Sequence, residues 1–361
     1  MSIKRVLHVA KFYPPASGGM ERVVQTLCRA SEGIVDSRVL ALNEGRDTIE
    51  EVVEGVPVTR VGVLTRAGSV PIAPGLQRHL RRACADLIIL HEPNPWALLS
   101  YALARPDVPL AIWYHSDVVR PALQYALFYA PLARPAYARA RRFIVSSPAL
   151  AEHAAALKPY RDRIRVIPFG IDSSHWAASN TQTLPSAPFV FFVGRHVAYK
   201  GVDVLIRALQ GTGIRAVIAG DGPQRTAWQG LARDLHVDAH FPGDVNDDEL
   251  RRLFASCAAF VLPSTSRAEA FGYVQLEAMA SGKPVISTNV PSGVPWVNQH
   301  ERTGLIVPAS DAEALRAAMC RLIGDEALRA RLGRQARARV EDAFTMAHLR
   351  DRLRAFFAEA A

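Results

Sequence analysis

Cysteine is scarce in this 361-residue chain: Cys28, Cys84, Cys257 and Cys320 are its only four, at least 56 residues apart. No C-x-x-C pair exists. That argues against a zinc site or a redox pair and suits reduced, buried thiols in a reducing compartment. Long apolar runs are missing as well. Nothing approaches 18 consecutive apolar residues, so no membrane-spanning helix is expected. After Lys4 and Arg5 only Val6–Ala10 is apolar before Lys11, too short for a signal-peptide core and without a cleavage site, so a cytoplasmic protein is expected. No internal repeat of solenoid length occurs. With 49% hydrophobic and 21% charged residues the composition is that of a folded globular protein, which excludes disorder and a disulfide scaffold. At roughly 150 residues per domain, the length points to two domains.

Charge is unevenly spread. Residues 1–175 hold 22 Lys and Arg against 15 Asp and Glu, and the remainder 21 against 19, within a net charge of +9. A basic first half implies a meeting with an anionic partner: nucleic acid, a phospholipid surface or a phosphorylated substrate.

Short apolar runs alternate with helical patterns. In the first half, strands are expected at Val6–Ala10, Arg38–Leu42, Val56–Val63, Asp86–Leu90, Pro109–Tyr114, Arg142–Ser146 and Ile164–Ile167. They are apolar on both faces, as strands of a buried parallel sheet are. Residues 172–188 are rich in Ser, Thr, Asn and Pro without apolar period and read as a linker. Alternation restarts with strands at Phe189–Val193, Arg215–Ala219, Ala239–Phe241, Ala259–Leu262 and Pro284–Ser287. The expectation is two α/β units, residues 1–171 and 189–343, each with a parallel sheet, and a last helix in 344–361 that packs back on the first unit. Ligands of such sheets bind at the carboxyl ends of the strands, and a cleft between two domains is a favoured place for them.

Three segments carry chemistry. Pro14–Arg22 follows the first strand and opens a helix, and Gly18 and Gly19 let backbone N–H groups approach an anion. Gly194-Arg195-His196-Val197-Ala198-Tyr199-Lys200-Gly201 follows the first strand of the second unit. Its Arg fork and Lys point charge suit a diphosphate, and it is not a Walker loop. Glu269-Ala270-Phe271-Gly272-Tyr273-Val274-Gln275-Leu276-Glu277 follows another strand, with Glu269 in the loop and Glu277 on the helix that begins near Gly272. Two carboxylates so placed can accept from two sets of hydroxyls, and a buried carboxylate needs such partners.

On these segments, with Ala219-Gly220-Asp221-Gly222-Pro223, the chain resembles glycosyltransferase family 4 over nearly its whole length. The resemblance implies a GT-B fold of two Rossmann-like domains whose parallel sheets face across a cleft, the second domain binding a nucleotide sugar and the first the acceptor. By position, Arg195 and Lys200 would bind the donor diphosphate and Glu277 the ribose hydroxyls. Glu269, with the amides of Phe271 and Gly272, would hold the transferred sugar. Gly18, Gly19, Gly194 and Gly220 would line the donor site, and His115 would contact the sugar. Asp221 would shape its turn. Transfer would retain the anomeric configuration and need neither metal nor other cofactor. Gln275-Leu276-Glu277-Ala278-Met279, Pro291–Val297 and His91-Glu92-Pro93-Asn94-Pro95 further resemble bacterial mannosyl- and rhamnosyltransferases of O-antigen assembly. These use GDP-sugars and act on lipid-linked glycans at the inner face of the cytoplasmic membrane. A UDP-sugar donor, or a sugar-nucleotide epimerase of the same fold, are the alternatives.

Residues 120–165 contain nine Lys and Arg against two Asp and Glu. Leu123, Tyr125, Leu127, Phe128, Tyr129 and Tyr137 mix there with Arg134, Arg139, Arg141 and Arg142. The mixture suits an anionic membrane surface; the other reading is a core helix with a solvated basic face. A nicotinamide dehydrogenase is disfavoured because Gly220–Arg225 lacks the last glycine of the dinucleotide fingerprint and the first turn lacks G-x-G. Nucleic acid is not an expected partner, since no recognised binding motif accompanies the basic charge.

Overall fold

The computed structural model describes residues 3–16, 18–68, 70–117, 127, 129–177 and 188–359. The chain divides into two compact units: unit 1 is Met1–Gly170 with Met346–Ala361, and unit 2 is Ile171–Thr345.

Unit 1 contains β1 (Arg5–Val9), β2 (Asp36–Leu42), β3 (Ile49–Val53), β4 (Val56–Val61), a small pair β5 (Thr65–Ala67) and β6 (Val70–Ile72), then β7 (Leu87–Glu92), β8 (Leu110–Tyr114), β9 (Ala140–Val145) and β10 (Ile164–Val166). Its main sheet has the order β10-β9-β8-β7-β1-β2-β4-β3. The central strands are buried on both faces, which is why they read as continuous apolar runs. The sheet departs from expectation at one edge, where β3 runs antiparallel to β4. Its Ile-Glu-Glu-Val-Val is largely exposed and offers no apolar run to read. Glu54 and Gly55 close this hairpin, both at positive φ, as a two-residue turn matched to strand twist requires. The helix Met346–Glu359 belongs to this unit. It packs on the helix Gly19–Ala30, and Arg165 Nε pairs with Glu359 at 3.0 Å.

Unit 2 contains β11 (Phe189–Val193), β12 (Arg215–Ala219), β13 (Ala239–Gly243), β14 (Ala259–Leu262), β15 (Val285–Thr288) and β16 (Gly304–Val307). They form one parallel sheet in the order β13-β12-β11-β14-β15-β16. The strand β16 was not expected. It packs so closely on β15 that a Cβ at Gly304 would lie 1.8 Å from the Val285 carbonyl.

Two expectations need correction. The stretch read as linker opens with a helix, Ser173–Trp176, capped by Asp172 and anchored by Trp176, which is buried edge-on against Phe254. One buried anchor produces no period, so the sequence reads as unstructured there. Residues 178–187 of that stretch lie outside the described residues. Of the four cysteines, Cys28 and Cys257 are buried but Cys84 and Cys320 are exposed.

Candidate active site

In unit 2 the loops after β11, β12 and β14 meet. Gly220 has φ 105°, and a Cβ there would lie 2.2 Å from the Gly194 carbonyl oxygen, so these two turns fit only as glycines. Asp221 closes its own turn, accepting from Gly222 N at 2.6 Å and pairing with Arg225. Lys200 Nζ donates to Glu269 Oε2 at 2.5 Å, and Ser264 Oγ donates to the same oxygen at 3.1 Å. Both charged side chains are about nine-tenths buried, at 12% and 10% exposure. Burial opposes the Lys200 charge, but Glu269 beside it prevails and holds the ammonium above its ordinary pKa. Arg195, in the same loop, is exposed.

The helix Tyr273–Ala280 follows Gly272, whose φ of 68° and close neighbours, Leu262 Cδ2 at 2.6 Å from a built Cβ, leave room for glycine alone. Glu277 is buried on that helix at 3% exposure. Gln275 Nε2 donates to the Phe271 carbonyl at 2.6 Å, and Phe271 packs on Trp296 and Phe344, which fixes the turn between Glu269 and the helix. The structure thus brings Gly194, Lys200, Gly220 and Glu269 together at the carboxyl ends of β11, β12 and β14, with Phe271 and Gly272 at the start of the helix that carries Glu277.

In unit 1, His115 follows β8 and is 7% exposed. Its Nε2 lies 2.8 Å from His91 Nδ1, and His91 Nε2 lies 3.0 Å from His8 Nδ1. The three rings stack at centroid separations of 5.1 and 5.3 Å. Burial lowers the His8 pKa to about 4 and that of His115 to about 3, and burial, with the neighbouring His115 and His8, holds His91 well below its ordinary value. All three are neutral imidazoles at neutral pH. The sequence reading singled out His115 and missed this row. The available signal was a histidine inside each of two strands otherwise fit for burial, where a polar ring must find a partner.

Glu92 was missed too. Fully buried, its carboxyl is pushed up to about 8 by burial, against the donations it accepts from Tyr129 Oη and Asn94 N. At Gly18 and Gly19 the picture differs from a bare anion cradle. Gly18 caps the helix Gly19–Ala30, and the carboxylate of Glu21 in its first turn lies where a Gly18 Cβ would be. The basic segment is also corrected in part. Arg134, Arg139 and Arg141 are exposed and Arg142 is half-buried, but Tyr129 and Tyr137 are buried, Tyr137 edge-on to Phe143. Leu123, Tyr125 and Phe128 lie outside the described residues.

Residues 17–175 match the family model described as Glycosyltransferase Family 4, and residues 178–339 that of Glycosyl transferases group 1. The D-rhamnosyltransferase WbpZ of Pseudomonas aeruginosa is 33% identical, over 94% of this chain and 92% of that one. This chain belongs to glycosyltransferase family 4. The O-antigen chain mannosyltransferase C of Escherichia coli is 31% identical over 96% of each chain. Among solved structures, sucrose-phosphate synthase from Thermosynechococcus elongatus superposes with a TM-score of 0.82 over 99% of this chain and 98% of that one, at 23% identity. Anabaena Alr3699/HepE in complex with UDP and glucose gives 0.80 over 99% and 100%, at 20% identity. The fold is GT-B, with two Rossmann-like units, and the chain is a glycosyltransferase. No helix among the described residues is long and apolar enough to cross a membrane.

Proposed function

We propose that this glycosyltransferase is a retaining, metal-independent hexosyltransferase that moves mannose or D-rhamnose from a GDP-sugar to a lipid-linked glycan of O-antigen assembly. The observation that carries the mechanism is the buried Lys200–Glu269 pair beside the Glu277 helix. A buried carboxylate that keeps a lysine ionised makes a fixed positive charge available where a diphosphate departs. Lys200 and the exposed Arg195 stabilise that developing charge. Glu277 accepts from the ribose hydroxyls. Glu269, oriented by Lys200 and Ser264, accepts from the hydroxyls of the transferred sugar, joined by the amides of Phe271 and Gly272. His115 makes a further contact to that sugar. Gly194 and Gly220 keep the backbone close to the donor. No carboxylate in the set serves as a covalent nucleophile, unlike the pair in a retaining glycosidase. The acceptor oxygen attacks from the face that the phosphate leaves, and the phosphate takes its proton.

The names of the two relatives support the sugar and the glycan, since one is a D-rhamnosyltransferase and the other an O-antigen chain mannosyltransferase. A UDP-sugar donor is the second reading, favoured by the UDP and glucose of the Anabaena neighbour. A lipid-linked acceptor calls for peripheral attachment to the cytoplasmic face of an anionic membrane, for which Arg134, Arg139, Arg141 and Arg142 provide the charge.

The test is thermal denaturation with GDP, UDP, ADP and their sugars, followed by NMR of the product's anomeric centre. GDP and GDP-mannose or GDP-D-rhamnose should give the largest rise in Tm, and the product should keep the donor's configuration. A larger rise with UDP would install the second reading, and an inverted product would refute retention.

A further inference from the structure

His8 lies in β1, His91 in β7 and His115 just after β8, three strands that neighbour one another in the sheet. In register, His8 stands opposite Ile89 and His91 opposite Trp113. Each histidine therefore lies two residues beyond the partner of the one before. A step of two keeps the side chains on one face, so the row climbs that face toward the carboxyl ends. Trp113 and Phe169 stack against it. The neighbouring Glu92 accepts from His115 N at its backbone carbonyl, and its carboxyl accepts from Tyr129 Oη and Asn94 N.

A neutral imidazole has one N–H and one lone pair. Two links joining three neutral rings use one proton each, so the middle ring decides the arrangement. If His91 carries its proton on Nδ1, it donates to His115 Nε2 and accepts from His8, and the proton of His115 is on Nδ1. If His91 carries it on Nε2, every donation reverses and His115 Nδ1 is a bare acceptor. Passing from one arrangement to the other moves a proton in at one end of the row and out at the other. His8 Nε2 is buried and has no hydrogen-bond partner among the described residues. That end offers no exit, and a proton taken up by His115 would remain as charge in a buried row.

We propose that His8 and His91 are positioning residues that hold His115 in one tautomer and keep it a neutral hydrogen-bonding group, one that takes no proton from the acceptor. The inference rests on the reading in which His115 contacts the transferred sugar. It leaves the acceptor's proton to the departing phosphate.

Protein labelled with 15N-histidine tests it, the His115 signal being assigned from its loss in His115→Ala. In the wild type, His115 should be a single neutral tautomer from about pH 5 to pH 8. In His91→Leu the signal should become a tautomer mixture, and kcat should fall at least about tenfold with KM little changed. His91→Gln, which can both donate and accept, should restore both. A wild-type His115 that titrates or exchanges tautomers in that range overturns the proposal. So does His91→Leu with wild-type kcat and an unchanged signal. Should His91→Leu fail to fold, the wild-type spectrum and His91→Gln decide. Unchanged transfer and donor affinity in His115→Ala would sink the sugar-contact reading alone, because the tautomer is read without turnover.

Discussion

The two units bury polar groups at their strand ends in opposite ways. Unit 2 encloses an ion pair, Lys200 with Glu269, and keeps Arg195 exposed in the same loop. Unit 1 encloses three uncharged imidazoles and a carboxyl that burial holds largely protonated at neutral pH. Burying a charge is tolerated only beside a partner, whereas neutral rings need only hydrogen bonds. The difference divides the labour of the proposed reaction. Charge that develops on a leaving diphosphate calls for fixed cations, and a sugar hydroxyl calls for a group that donates or accepts without ionising.

The largest expected effect breaks the charged half. Lys200→Ala and Arg195→Ala should each lower kcat by roughly 10²-fold or more, because cations at a departing phosphate act most strongly in the transition state. Steady-state kinetics with a soluble acceptor analogue measures this, and an unchanged kcat in Arg195→Ala would remove that residue from the phosphate.

Stability against pH probes the neutral half. The folded pKa values of about 4 for His8 and about 3 for His115 lie below the ordinary 6.5. The unfolded state then binds more protons across that window, so stability rises with pH there and is lost as pH falls from 6.5 toward 3. These shifts correspond to roughly 3 kcal/mol for His8 and roughly 5 kcal/mol for His115. Glu92 acts in reverse: with its folded pKa raised to about 8, the folded state holds the extra proton and stability falls as pH rises from 4.5 to 8. Hydrogen exchange followed by mass spectrometry reads the units separately. Unit 1 should loosen in acid more than unit 2 does, and Glu92→Gln should flatten its alkaline slope. Acid loosening confined to unit 2 would contradict the neutral row.

Smaller effects sharpen the comparison from outside both sites. Replacing Arg134, Arg139, Arg141 and Arg142 by Ser should abolish flotation with phosphatidylglycerol liposomes, with attraction of about 1 kcal/mol per cation near the surface. Transfer to a soluble acceptor should persist. Because Arg139 donates to the Pro106 carbonyl at 3.0 Å and lies over the Tyr101 ring, a small loss of stability accompanies the change. Flotation equal to the wild type's would reduce the cluster to a solvated face. The smallest effect is that of chelation: if Lys200 and Arg195 meet the diphosphate as proposed, EDTA should leave the rate unchanged, and a loss restored by Mg²⁺ or Mn²⁺ would show a metal at work.

The contrast also explains what was legible in the sequence. Parallel strands buried on both faces announce themselves as apolar runs, so most of both sheets could be read from residue order. The exposed edge strand β3 and the single-anchor helix at Trp176 could not, since neither carries a period. The charged site's parts could be read because they sit in two short segments, one opened by Gly194 and one turning into its helix at Gly272. The Lys200–Glu269 contact joining them spans 69 residues and needed the fold. Locally the histidine row shows only as a histidine in each of two otherwise buried strands. Its links join residues 83 and 24 positions apart, and only the strand order β8-β7-β1 makes them neighbours.

Calorimetric titration of GDP into the wild type and into Glu277→Ala tests most directly whether unit 2 is the donor site. Loss of a charge-assisted hydrogen bond to the ribose, about 1.5–3 kcal/mol, should raise the Kd by roughly ten- to a hundredfold. GDP binding to Glu277→Ala with the wild-type Kd would contradict the assignment.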